Sequence, residues 1–189
     1  MSNYTLYTAE TAPEAAKPLL ENSMKGFGFV PNLHAIMAES PAILEAYQTM
    51  SGIAAKTGLN AVERQVVYQV NNFEAGCRYC VAAHTTISAF DKVPEDVTAA
   101  LRAGTELPDA KLEALAVFAR KLRNGFGHLA DSDIAAFHAA GYTKEHLMGV
   151  IVVTATKVLS NYTNHIAETP VDDRFQANSW EKPALAAAE

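Results

Sequence analysis

The sequence has no apolar stretch long enough to cross a bilayer. Its strongest run, Val150-Ile151-Val152-Val153, gives way at once to Thr154, Thr156 and Lys157. Basic residues are also scarce: 15 Lys and Arg against 21 Asp and Glu leave a formal net charge of −6. That balance repels phosphate-rich partners, so nucleic acid is not an expected ligand. The segment from Met1 to Lys17 has neither a basic start nor an apolar centre, so no secretory signal is visible in it and a cytoplasmic protein is expected. Strand-like alternation is nearly absent. Cysteine is reduced to two residues, Cys77 and Cys80. Such a short C-x-x-C loop constrains the unfolded chain very little, and a reducing compartment would not maintain it as a staple. Chemistry is the better reason for the pair.

What is present reads as helix. Apolar residues make up 49% of the chain and charged residues 19%, enough for one buried core in a single domain over residues 1–189. Thr11-Ala-Pro-Glu14 predicts a helix start with Thr11 as cap and an end at Gly26, followed by an irregular connector over 27–32. Ser40-Pro41 opens a helix that should carry Ile43, Leu44, Tyr47, Met50 and Ile53 inward as far as Gly58. Asn60-Ala-Val-Glu63 is a capping box, which assigns Glu63 to a helix start. Val66, Val67, Val70 and Phe73 follow as an apolar stripe, interrupted at Gly76. A further helix begins at or near Cys77 and runs towards Phe90. Helices are expected at 94–103, 108–123 and 131–140, the last closed by Gly141. Thr143 caps a long final helix containing Leu147, Val150, Ile151, Val158, Leu159 and Tyr162. Beyond Thr169-Pro170 the tail, 171–189, is read as irregular, with fraying expected in its Ala184–Ala188 run. The fold class is all-α, a helical bundle.

The chemistry concentrates in Glu74-Ala-Gly-Cys77-Arg-Tyr-Cys80-Val-Ala-Ala-His84. At about 100° per residue, Cys77 and Cys80 stand about 60° apart around a helix, and His84 about 20° from Cys77. All three share a face, and Cys80 and His84 have the four-residue spacing of contacting side chains. A thiol at a helix N-terminus faces unpaired N–H groups and the positive end of the helix dipole, which favour thiolate. A histidine one turn on can take and return the thiol proton, and a second thiol can condense with a sulfenic acid. Three alternatives stand beside a dithiol centre. Buried cysteine can act as a small hydrophobe. Cys77, Cys80, His84 and Glu74 could ligate zinc, although structural zinc usually draws ligands from two separated segments. A non-catalytic redox sensor or binding subunit would use the same pair. His34, His128, His138 and His146 are scattered, and His165 suits the negative end of the last helix. No motif asks for a cofactor.

The run from Leu59 to His84, with Gln65, Tyr68, Asn72 and Glu74 between them, resembles the signature of the AhpD-like alkylhydroperoxidase and carboxymuconolactone decarboxylase superfamily over about residues 41–105. Gly28-Phe-Val-Pro-Asn32 and Asn161-Tyr-Thr-Asn-His165 resemble its peroxidase-related branch. The resemblance implies an AhpD-like all-α bundle with the C-x-x-C at or near a helix N-terminus, assembled as a homo-trimer or homo-hexamer. It also implies reduction of a hydroperoxide with electrons from a dithiol reductant, a lipoyl-type or thioredoxin-like protein. On the same basis Cys80 is the peroxide-reacting thiol, Cys77 resolves the sulfenic acid and meets the reductant, and His84 belongs to a proton relay. The family's relay glutamate falls on Gln65, which carries no proton as a carboxylate does. The histidine that some members place before the second cysteine is Tyr79 here. Glu74, one turn before Cys77, is the candidate replacement carboxylate. The decarboxylase branch generally lacks the cysteine pair, so its reaction is not expected.

Overall fold

The computed structural model describes residues 3–184, and among them every regular element is helical. A 3-10 turn over Glu14–Ala16 leads into α1 (Lys17–Phe27), followed by α2 (Asn32–Met37), α3 (Pro41–Ala54) and α4 (Ala61–Ala75). Then come α5 (Arg78–Phe90), α6 (Glu95–Ala103), α7 (Ala110–Asn124), α8 (Asp131–Ala139), α9 (Lys144–Ile166) and a second 3-10 turn, Asp173–Asn178. No helix of the described residues is long and apolar enough to cross a membrane.

Helix α4 is the hub, packed against α5, α6, α7 and α9. Its start is the expected capping box: Asn60 Oδ1 accepts from Glu63 N, and Glu63 Oε2 accepts from Asn60 N, both at 2.9 Å. Its stripe Val66, Val67 and Val70 enters the larger core with Leu115, Phe118, Phe137, Val150 and Val153. There Phe118 stacks on Phe137 and Phe137 on Tyr142, with centroids 4.1 and 4.8 Å apart. A second core joins the segments around α1, α2 and α3 to α5 and holds both cysteines, beside Leu20, Met37, Leu44, Tyr79 and Phe175.

Several boundaries and faces differ from the sequence reading. Thr11 caps nothing; its hydroxyl accepts from Thr8 N, and the 3-10 turn starts at Glu14. Helix α1 runs past Gly26 to Phe27 because Gly28, at φ 75°, supplies the left-handed cap residue. Ile53, Ile151, Val158 and Tyr162 are exposed, so α3 and α9 bury narrower stripes than their apolar content suggests. The tail over 171–184 is irregular as expected apart from the 3-10 turn, but it is packed and not loose. It is a strap, its Phe175 and Trp180 buried. Trp180 packs on Phe73 and Val81 and donates its indole N–H to Arg102 O at 2.8 Å. Arg102 in turn donates to Asn178 O and Ser179 O, and Asn178 Nδ2 to Thr86 Oγ1. Most of the expected Ala184–Ala188 fraying falls outside the described residues.

Candidate active site

Gly76 ends α4 in the left-handed region at φ 66°, so the chain reverses within one residue and Cys77 becomes the N-cap of α5. The Cys77 sulfur accepts from Cys80 N at 3.3 Å, the place a serine or aspartate oxygen takes in an ordinary cap. Cys77 and Cys80 are joined as a disulfide, their Cα atoms 5.3 Å apart. Both are buried, at 0% and 2% exposure.

His84, one turn further along α5, is buried between two partners. Gln65 Oε1 accepts from His84 Nδ1–H at 2.8 Å, and Gln65 Nε2 donates to Asp91 Oδ2 at 2.7 Å. The Asp91 carboxylate accepts hydrogen bonds only, so it holds the Gln65 amide nitrogen and turns the amide oxygen to the imidazole. The tautomer follows: Nδ1 carries the proton and Nε2 is free to accept. Lys157 Nζ lies 3.2 Å from that Nε2 and sits over the Tyr68 ring at 5.7 Å. Lys157 is 2% exposed, and no carboxylate of the described residues pairs with it. Burial pushes its amine down to about 7. Burial first, and the Lys157 charge second, hold His84 well below its ordinary value, so the imidazole is neutral.

Cys80 has its own polar neighbour on α9, where Asn164 Nδ2 donates to Cys80 Sγ at 3.1 Å. Asn164 Oδ1 is buried with no partner of its own. Cys80, His84 and Lys157 line one void of about 40 Å³, walled by Phe27, His34, Tyr47, Tyr79 and Phe175. A water needs roughly 10–15 Å³ of such space, so the void has room for two or three water-sized atoms. His34 is buried too: Ser23 Oγ lies 2.8 Å from its Nδ1, and desolvation lowers it to about 4. Tyr79 donates to Asp172 Oδ2 at 2.6 Å, and Asp172 also accepts from Asn32 N. The strap is thereby tied to the wall of the void.

No family model and no curated protein sequence matches the chain. Solved structures do. An uncharacterised peroxidase-related protein from Ralstonia eutropha JMP134, with an alkylhydroperoxidase AhpD core, superposes with a TM-score of 0.82 at 22% identity, over 92% of this chain and 94% of that one. The fold is AhpD-like. A second peroxidase-related protein, from Silicibacter sp. TM1040, gives 0.78 at 18% identity over 92% and 93% of the two chains. The debrominase Bmp8, as a cysteine-to-alanine variant with 2,3,4-tribromopyrrole, gives 0.75 at 17% identity over 94% and 97%.

Within this AhpD-like frame the structure brings Cys77, Cys80 and His84 together. Glu74 is not gathered with them: its carboxylate accepts from Arg120 Nε at 2.9 Å and Asn124 Nδ2 at 3.1 Å, facing α7. No group of three His, Cys, Asp or Glu side chains able to hold a metal ion is found among the described residues, so the conceivable zinc set is not assembled. His165 is exposed, while Asn164 beside it reaches Cys80. The sequence reading missed Lys157, Asn161 and Asn164 on α9, and the roles of Gln65, Gln69 and Asn72 on α4. Each trio is spaced i, i+4, i+7, a single stripe on its helix. Gln69 Nε2 donates to Val81 O, and Asn72 Nδ2 to Cys80 O, so the α4 amides bind the backbone of α5. Asn161 Nδ2 donates to Asn71 O and fastens α9 to α4. A polar stripe at that spacing in an otherwise apolar helix was the available signal.

Proposed function

We propose that this chain is a dithiol peroxidase that reduces a small hydroperoxide through Cys80, with Cys77 as the resolving thiol and His84 orienting the proton-bearing groups. The observation that carries this reading is the void that Cys80, His84 and Lys157 line together, with Cys80 bonded to Cys77. In the reduced state the Cys80 thiolate attacks one peroxide oxygen. The O–O bond breaks, an S–O bond forms, and the departing oxygen leaves as alkoxide or hydroxide and is protonated. Cys77 then attacks the sulfenic sulfur, water leaves, and the disulfide returns. A dithiol reductant, lipoyl-type or thioredoxin-like, supplies two electrons and two protons to reopen it. A void of about 40 Å³ favours hydrogen peroxide over bulky organic hydroperoxides and over a brominated pyrrole. Glu74 has no part in this scheme, its carboxylate being held by Arg120 and Asn124.

The partner state belongs to the same proposal. Met148, Ile151, Val158, Tyr162 and Ile166 leave one helix, α9, with exposed apolar side chains, which supports burial against further copies as a homo-trimer or homo-hexamer. Light scattering on the purified protein measures this directly.

The deciding assay follows hydrogen peroxide consumption with dihydrolipoamide as donor, for the wild type beside Cys80→Ser. Turnover in the wild type and none in the variant is the expected result. A Cys77–Cys80 disulfide that forms with oxidant but without repeated turnover would replace the enzyme by a redox sensor. Bromide release from a bromopyrrole without peroxide turnover would replace the substrate class.

A further inference from the structure

We infer that Lys157 is the proton carrier of this site: its amine takes the proton of the Cys80 thiol when the disulfide is opened and returns it to the oxygen that departs from Cys80. The inference rests on the peroxidase reading for the identity of that oxygen, and on geometry for the rest. An AhpD-like site that lacks a relay carboxylate at Gln65 needs some other group that binds and releases a proton. Gln65 cannot, and His84 is committed, with Nδ1–H on Gln65 and Nε2 towards Lys157. Glu74 and Asp91 are held by Arg120 and Gln65. Lys157 and His34 both combine burial, absence of an acidic partner and a place on the wall of the void. His34 faces Ser23 and, lowered to about 4, stays neutral near pH 7, whereas Lys157 lies against His84 Nε2.

The groups facing it come from four helices. They are Tyr68 from α4, Cys80 and His84 with Tyr79 from α5, Tyr47 from α3 and His34 from α2. None of these residues is a carboxylate, so nothing holds the amine permanently charged. A buried lysine without a counter-charge is costly, and proteins keep one where its neutral form is used. The thiolate formed by reduction is the missing counter-charge. In the oxidised state the sulfur cannot carry it, and the lowered amine is partly neutral near pH 7.

The steps balance. Opening the disulfide yields Cys80–SH, whose proton passes, through water in the void that both side chains line, to the Lys157 amine and leaves a thiolate and an ammonium on the same void. Attack on hydrogen peroxide breaks the O–O bond, oxidises sulfur by two electrons and expels hydroxide. Lys157 gives its proton to that hydroxide, forming water and regenerating the neutral amine. Condensation of the sulfenic acid with the Cys77 thiol releases a second water and closes the cycle.

Two measurements test this. The first is the single-turnover rate of Cys80 oxidation by hydrogen peroxide against pH, for wild type, Lys157→Met and Lys157→Gln. General acid–base groups contribute about 10²–10⁴-fold, so both variants should be slower by about a hundredfold or more. They should also lose the high-pH fall that the wild type shows as its ammonium is lost. Wild-type rates with the same high-pH limb in a folded variant would overturn the inference and leave the peroxidase reading intact. The second measurement needs no variant: the Lys157 Nζ titration is followed by nitrogen NMR in oxidised and reduced protein. A higher midpoint in the reduced protein is expected, and equal midpoints would overturn the inference. If hydrogen peroxide is not consumed but the midpoint still rises on reduction, the peroxidase reading falls and the proton exchange between Lys157 and Cys80 stands.

Discussion

Gln65 Oε1 accepts the Nδ1 proton of His84 at 2.8 Å, so an uncharged amide on α4 governs the buried imidazole. It does so without carrying a proton, by fixing the tautomer. Gln65→Leu removes the partner of a buried imidazole N–H and of the Asp91 carboxylate at once. The buried imidazole left unpaired costs about 1–3 kcal/mol, while the partly exposed Asp91 can turn to water, so the urea midpoint should fall accordingly. The peroxide reaction should slow as His84 samples the other tautomer. An unaltered midpoint and rate would deny Gln65 this role.

Asn164 donates its amide to the Cys80 sulfur at 3.1 Å. A hydrogen bond to a charged acceptor contributes about 1.5–3 kcal/mol, so Asn164→Leu should make the reduced Cys80 harder to ionise. Iodoacetamide alkylation against pH, in a Cys77→Ser background, reads this directly.

Stability should fall on acidification. His34 and His84 are folded as neutral rings, His34 lowered to about 4 and His84 well below its ordinary value. Unfolding lets both titrate near 6.5, so below that pH the unfolded chain binds more protons and the folded state loses stability. For His34 the window runs from about 6.5 down to about 4 and is worth about 3 kcal/mol. Lys157 acts higher up: its folded value near 7 against 10.5 unfolded makes stability rise with pH between the two. Urea unfolding of the oxidised protein from pH 4.5 to 10 should trace both slopes, His34→Gln flattening the first and Lys157→Met the second.

Glu74→Gln should leave the peroxide reaction unchanged. Its ion pair with Arg120 is partly exposed, with side-chain accessibilities of 16% and 33%, so the stability change should be about 1 kcal/mol or less. A rate lowered tenfold or more would return Glu74 to the mechanism.

Trp180→Ala removes the side chain that pins the strap against Phe73 and Val81. Truncating a buried tryptophan costs about 3–5 kcal/mol where the site cannot collapse, here mostly through release of the strap. Reduction of the Cys77–Cys80 disulfide by dithiothreitol should accelerate at least about tenfold, as followed by mass spectrometry. An unchanged rate would show that the reductant enters elsewhere.

Much of the fold was legible because its signals are local. The Asn60–Glu63 box, Gly76 between two helices and the Thr143 cap each act within a few residues, and each is found where expected. The Cys77, Cys80 and His84 face was legible for the same reason, since one helix carries it. What surrounds that face arrives from elsewhere. Lys157 and Asn164 come from α9, and Asp172, Phe175 and Trp180 from a tail that has no periodicity to announce it. Ile151 and Val158 misled in the other direction, because an apolar residue states a preference for burial but not which surface provides it.

The Tyr79–Asp172 hydrogen bond joins residues 93 positions apart in sequence. At about 5–20 residues per second, the ribosome delivers the strap about 5–20 s after the cysteines. In that interval the cysteines exist before α9 and the strap, which complete the walls around them, are finished. The outer wall of the disulfide site is thus among the last parts of the chain to be made.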